Sequence, residues 1–593
     1  MSNLEKAKQQ WWIALPAVFL LLLALAPQVA LRIQHRQSWH GSYFSFNPDE
    51  PPYLAYVNAL KNGRPRKSDP YSGRDNRTGA PQAESIFSIQ FVPAYAIAWS
   101  ARVLGVSSQT AFAILSCLVA LSAALIMYVL VRSVIDDDRI AAIGTLIVLC
   151  CGSLRYAPFI TRFSTDGHAQ YFPFLRSYAP SFAFPCFILF VVFVWRITTT
   201  DRKQLLLSLA TAATFLLLLF SYFYLWTAAM AWLCVLAALW LVFRPSGYTR
   251  KLRAIAIIGA VAVVGLFGYW RLLAHRATST DTFQVVTRTH WPDLFRVPQL
   301  IGVVTAIAIV FCARRGALKL REDRTLFILS LALVPLAVFN QQVLTGYSIQ
   351  PIHYELFVAN YTALLAAFLL GATIAQSQRT TLIASRALAF SAMVAIGWGT
   401  IEITYAIRGR TDLNQIRDEA RPAALRLAEI AKSPLDPRNT LVLATNIVQA
   451  DTLPADAPQP VLWAPHMRSF PGVDFAEEKS RYHAQLYFTG TTVADFEALL
   501  RETVVAPSVV FGWERVNPRL ASTPNPVAEQ EIQEELHRYA GYVASFDHAR
   551  AANLPLTFVV ASPSDNLTNL DRWYVRDEAE KVGNLLLYRV SLR

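Results

Sequence analysis

Charge is scarce in this chain. Only 16% of its 593 residues are Asp, Glu, Lys or Arg, while 54% are hydrophobic. A soluble chain of this length carries more charge than that, so the composition points to a protein that sits mostly in lipid. The mean hydropathy of +0.33 agrees. Cysteine is sparse as well. All six (Cys117, Cys150, Cys151, Cys186, Cys234, Cys312) fall in apolar segments, which argues against a disulfide framework or a cysteine metal site in the water-exposed parts. A phosphate-cradling glycine-rich loop, an HExxH pair, a GxSxG elbow and EF-hand spacing are all missing. No zinc-finger or RNA-binding pattern accompanies the net charge of +13. The excess of Lys and Arg is therefore expected beside membrane spans rather than on nucleic acid. Internal repeats and low-complexity segments are also absent.

What is present is a series of apolar runs. A span needs about 20 residues, and runs near that length recur at 11–33, 109–131, 140–153, 181–195, 205–222 and 225–243. They continue at 254–273, 299–313, 326–343, 357–375 and 382–407. The expectation is a polytopic α-helical membrane protein with about 11 transmembrane helices. The runs around Ser221-Tyr222-Phe223-Tyr224 are joined by almost no loop, so they form either a tight hairpin or one long bent helix. Alternate short loops carry Arg132 and Arg139, then Arg196, Arg202 and Lys203, then Arg244, Arg250, Lys251 and Arg253. The last two carry Arg314 to Arg324 and Arg379 with Arg386. The positive-inside rule then places the N-terminus in the cytoplasm and the longer loops on the outer face. From about Arg408 the composition turns to that of a soluble domain. Runs such as Asn439–Ala444, Leu556–Val560 and Asn584–Val590 predict strands, and Ala494–Glu502 and Ala528–Ala544 predict helices. The expected organisation is a membrane domain over 1–407, including a long first outer loop at 34–108, and a soluble α/β domain over 408–593.

The outer loops hold the candidate chemistry, because loops on a rigid scaffold are where sites are built. In the first, Asn47-Pro48-Asp49-Glu50-Pro51-Pro52-Tyr53 sets two adjacent carboxylates before a run able to lie as a helix along a bilayer surface. An acid there can act as a base on a membrane-bound substrate. The bland alternative is an exposed helix start with Asp49 as N-cap and prolines in the first turn. The same loop carries a basic run from Arg64 to Arg74 and closes on the amphipathic stretch Ile86–Leu104. The second loop packs Arg162, Asp166, His168 and Arg176 among aromatics. That set suits an anionic lipid headgroup bearing a sugar, against the alternative of an aromatic belt with snorkelling arginines. The third holds His290. The fourth holds Asn340-Gln341-Gln342, costly in hydrocarbon unless it faces a cavity, and then His353 and Tyr354.

With these residues in view, the layout resembles the C-type glycosyltransferase superfamily, integral-membrane enzymes that use polyprenyl-phosphate-linked sugars. The acid pair Asp49-Glu50 followed by Tyr53 is similar to that of protein mannosyltransferases and lipid A aminoarabinose transferases. Asp166, in the loop after the third span, resembles one acid of the two-acid motif in oligosaccharyltransferase catalytic subunits; the second acid is absent, which leaves metal dependence open. The resemblance implies an inverting transfer of a sugar from a polyprenyl-phosphate donor to a glycan, lipid or protein acceptor of the cell envelope. Asp49, or Glu50 in its place, would be the general base. Tyr53, Arg74, Arg162, Asp166, His168, Arg176, His290, His353 and Tyr354 would bind substrate. No cofactor is assigned beyond a divalent metal, for which Asp166 and His168 are two ligands where a site needs more. The lipid bilayer is a partner and nucleic acid is not. The expected location is a bacterial inner membrane with the C-terminal domain periplasmic. Two other readings stand beside this one: a transporter or flippase for an envelope precursor, with ionisable groups near the bilayer midplane, and a non-catalytic envelope assembly or sensor protein.

Overall fold

Each apolar run found above is long enough for a helix to satisfy its own backbone in lipid, and helix is what forms. The computed structural model describes residues 3–75, 82–153, 172–176, 178–277, 286–377, 381–432, 440–516 and 525–593. Among them, all eleven predicted spans are helical, and the chain is a polytopic helical membrane protein carrying a small α/β sheet region. Among the described residues, eight helices are long and apolar enough to cross a membrane. Asp138–Cys151, Gln204–Leu219 and Asp323–Phe339 are shorter, at 14, 16 and 17 residues. At about 1.5 Å per residue they fall short of a hydrocarbon layer about 30 Å thick. Tyr222, extended at φ −159° and ψ 120°, separates Gln204–Leu219 from Phe223–Phe243. These are two helices and not one bent one.

Two compact units account for the chain. The first comprises Met1–Ala30, Ile114–Arg271 and Arg288–Arg410, and the second comprises Leu31–Ala113, Leu272–Thr287 and Thr411–Arg593. The first outer loop, expected with the membrane part, thus packs with the C-terminal segments. Another departure from expectation is the last helix, which runs as one 50-residue element from Thr381 to Ile430. The soluble character seen from Arg408 marks the end of an apolar surface, not of a helix. Residues beyond it stay helical because their polar face has partners of its own, described below.

Within the second unit the sheet has five strands: β1 (Leu441–Ala444), β2 (Leu556–Ala561), β3 (Tyr574–Arg576), β4 (Glu580–Val582) and β5 (Leu585–Leu592). The order is β1-β2-β5-β3, with β4 also on β5. β1 and β2 are parallel and the β5 pairings are antiparallel. β4 and β5 join through Gly583-Asn584, and Gly583 supplies the positive φ of 62° that so short a turn requires. Against the sheet pack Tyr487, Phe488, Phe546 and Leu570, with Tyr487 and Phe546 stacked at 3.9 Å between centroids. The predicted helices appear as Val493–Glu502 and Glu529–Ala544.

Candidate active site around Asp49

The acid pair sits on a short turn that the sequence specifies locally. The Asn47 side-chain oxygen accepts from the Asp49 amide at 3.2 Å, and the Glu50 amide donates to the Asn47 carbonyl at 3.3 Å. Asn favours such turns because its side chain can mimic a backbone carbonyl. Pro51 and Pro52 then begin the helix Pro51–Lys61, where a missing N–H costs nothing. The N-cap is Glu50, with no side-chain capping bond, so Asp49 does not have the capping role weighed above. The two carboxylates have opposite surroundings: the Asp49 side chain is 63% exposed, while Glu50 is fully buried.

The preceding extended segment is held by one face of the long helix. Asn414 accepts from the Ser45 amide at 2.7 Å and donates to the Ser45 carbonyl at 2.9 Å. Arg417 donates to Ser45 Oγ at 2.6 Å and to the Pro48 carbonyl at 2.7 Å. Asp418 accepts from the amides of His40 and Ser42 at 2.8 and 2.9 Å. Spacing of i, i+3 and i+4 aligns these three side chains on one face. They fix the residue immediately before Asp49. On the other side lies a pair that the sequence did not reveal. His466 Nε2 stands 3.5 Å from Asp49 Oδ1, and His466 Nδ1 stands 2.8 Å from Asp451 Oδ2. Burial of the imidazole lowers its pKa, but the charge and hydrogen bond of Asp451, with those of Asp49, override this and lift it from 6.5 to about 10.

Aromatic packing sets the helix behind the turn. Tyr53 meets Phe87 edge-on at 4.9 Å, and Phe87 stacks on Phe470 at 4.6 Å. Arg66 forms a two-pronged pair with Glu84 at 2.6 and 2.7 Å, with Lys67 at 3.3 Å and the Ser88 hydroxyl donating at 2.6 Å. Burial raises the Glu84 pKa, and the Arg66 and Ser88 hydrogen bonds with the Arg66 and Lys67 charges bring it below its ordinary value. Arg74, expected to bind substrate, is engaged by Glu477 at 2.7 and 2.8 Å. That pairing makes it a brace between sequence-distant segments.

Other expected site residues lie in the first unit. His353 bonds Tyr222 through Nδ1 at 2.6 Å and stacks on Tyr224 at 4.6 Å. Arg176 lies over the Phe357 ring at 5.3 Å, and the same ring meets His353 edge-on at 5.7 Å. Two basic side chains thus share one aromatic platform. It lies where the helix Pro351–Tyr354 opens into a π-helical turn, Glu355–Ala359. Tyr354 is buried, its hydroxyl 2.8 Å from Thr227 and 3.1 Å from Gln341. His290 is exposed and bonds the Val343 carbonyl at 3.1 Å. Arg296, not singled out from sequence, pairs with buried Glu355 at 3.0 Å. Arg162, Asp166 and His168 lie outside the described residues. Among the described residues no three His, Cys, Asp or Glu side chains are grouped to hold a metal ion.

No protein-family model and no curated relative matches the sequence. Solved structures similar to it in fold include ArnT from Cupriavidus metallidurans in the apo state, at 14% identity and a TM-score of 0.47 over 96% of this chain and 97% of that one. Another is the archaeal oligosaccharyltransferase AglB from Archaeoglobus fulgidus, in complex with an inhibitory peptide and a dolichol-phosphate. There the identity is 13% and the TM-score 0.43, over 99% of this chain and 74% of that one. These are members of the C-type superfamily whose layout the sequence resembles. At such identities the likeness is one of fold.

Proposed function

We propose that this chain is a membrane glycosyltransferase that moves a sugar from a polyprenyl-phosphate donor to an acceptor hydroxyl of the cell envelope. The observation that carries this reading is the water-accessible carboxylate of Asp49 on a turn clamped by Arg417, Asn414 and Asp418. A general base needs that combination of access and fixed position. Asp49 takes the proton from the acceptor, and the acceptor atom attacks the anomeric carbon. The bond from that carbon to the phosphate oxygen breaks, and the lipid phosphate departs with the electron pair. The configuration inverts. The departing phosphate needs a cationic donor surface, an electrostatic task. The lipid supplies the activated bond, so no nucleotide-binding fold is needed. The proposed setting is a bacterial inner membrane with the Asp49 turn on the periplasmic side.

Purified protein supplied with a polyprenyl-phosphate sugar should release the lipid phosphate, and Asp49→Asn should abolish this while leaving membrane insertion and helix content intact. Full activity in Asp49→Asn would move the base elsewhere.

A further inference from the structure

We propose that His466 is the positioning residue of this site: gripped by Asp451, it fixes the Asp49 carboxylate in the orientation that accepts the proton of the acceptor. This rests on the reading of Asp49 as base. Asp451 holds His466 at two points. One oxygen meets Nδ1 at 2.8 Å, and the other accepts the backbone amide of His466 at 3.3 Å. The Asp451 side chain is only 6% exposed, so its grip sets the plane of the ring. Nε2 is thereby aimed at Asp49 Oδ1, 3.5 Å away. That exceeds a good hydrogen bond of about 2.7–3.2 Å. At this separation attraction depends on charge, and catalytic contacts of free enzymes often tighten once substrate is bound. The two ring nitrogens face different carboxylates, an arrangement that orients and does not chelate.

The charged neighbours favour a cationic ring. Asp451 faces it from the helix Ile447–Thr452 and Asp49 from its turn. Opposing them is Arg417, within electrostatic reach of Asp451, Glu50 and Asp49. The Tyr71 hydroxyl donates to the Asp451 carbonyl at 3.1 Å. The balance holds the imidazole protonated up to about pH 10. His466 is therefore not the base at neutral pH, and the acceptor proton goes to Asp49. A group whose pKa is raised on folding contributes stability that is fully present below its unfolded value of 6.5 and lost as pH rises through about 10. Transfer should fall as pH rises through about 10, where the ring loses its proton.

Two measurements on the full chain test this. The first is a pH titration of isotope-labelled histidine by NMR, with the His466 signal assigned by its loss in His466→Asn. In the wild type the ring should stay protonated past pH 8.5, and in Asp451→Asn and in Asp49→Asn it should titrate lower. A wild-type ring that titrates near 6.5, or one unmoved by Asp49→Asn, overturns the proposal; this readout decides even if His466→Asn does not transfer sugar, and His466→Gln supplies the assignment if His466→Asn does not fold. The second is kinetic. His466→Asn should lower kcat about 100-fold, the scale of a misplaced reacting group, with little change in KM, and His466→Lys should recover part of it and shift the alkaline limb. An unchanged kcat and pH profile in His466→Asn, with Asp49→Asn inactive, defeats the positioning role alone. An active Asp49→Asn defeats the reading of Asp49 as base, whatever the titration shows.

Discussion

The two compact units satisfy their polar groups in different ways. In the first, buried hydroxyls bond backwards within their own helix: Thr145 to the Ala141 carbonyl, Thr211 to Leu207, Thr214 to Ala210 and Thr362 to Val358, at 2.7–3.1 Å. In the second, polar side chains tie together segments far apart in sequence. Arg417 reaches Pro48, Asp418 reaches His40 and Ser42, and Arg74 reaches Glu477. Lipid explains the first habit, since a helix whose groups pair internally can be inserted without leaving a dipole unpaired. Water permits the second, because each partner stays solvated until the chain comes together. Hydroxyls in the first unit are thus settled mostly within their own helix, beside a few links between helices such as Arg296 with Glu355 and Tyr222 with His353, while the Asp49 region of the second is placed by long-range pairing. The candidate base stands in the unit built by long-range pairing.

That contrast breaks most sharply at Glu84. Its side chain is 3% exposed and pairs with Arg66 and Lys67. Removing its charge strands a cation, and breaking such a pair costs about 3 kcal/mol. Glu84→Gln should lower the unfolding midpoint and speed amide exchange in residues 60–70 and 82–90, with the first-unit helices unaffected. Equal loss across both units would mean that the pairing is not confined as described. Asp418→Asn should come next, at about 2 kcal/mol, because a charged acceptor of two backbone amides is replaced by a neutral one. Its amide-exchange signature should centre on residues 40–48, and transfer should fall with it as the Asp49 turn loosens.

This division also explains what could be read from the sequence. The spans, the helix after Pro51 and three of the five C-terminal strands followed from hydropathy, alternation and turn residues, because each is a local preference; the three-residue strands Tyr574–Arg576 and Glu580–Val582 were too short to read. Asp49-Glu50 was found because the two acids adjoin one another before a helix start. His466 and Asp451 were missed because nothing in the stretch between them repeats, and a lone histidine after Pro465 carries no pattern. Asn414, Arg417 and Asp418 did leave a trace, a polar i, i+3, i+4 face on a stretch with no helix stop, but the loss of hydrophobicity at Arg408 drew the boundary instead. Arg74 was expected to bind substrate, and its pairing with Glu477 could not be read locally because the two lie some four hundred residues apart.

Acid should separate the units further. The Glu84 carboxyl has a pKa below its ordinary 4.5, so the stability it confers is complete above that value and is lost as pH falls through the lower, folded value. Acidification below pH 4.5 should release residues 60–75 and 82–90 before the helices of the first unit. Glu84→Gln should flatten that acid dependence, and an unchanged slope would remove Glu84 as its source.

The smallest effect is expected where the contrast predicts almost nothing. Thr211 is buried, and its hydroxyl bonds the Leu207 carbonyl at 2.7 Å. That carbonyl already accepts the helical amide four residues on, and Thr211→Val keeps the shape of the side chain while removing donor and acceptor together. With no group left stranded, the change should stay within about 0.5 kcal/mol. A loss of several kcal/mol, measured by the same unfolding assay as Glu84→Gln, would show that the hydroxyl serves another helix as well. Thr211 would then join the links between helices of the first unit, such as Arg296 with Glu355, and would no longer be an example of local pairing.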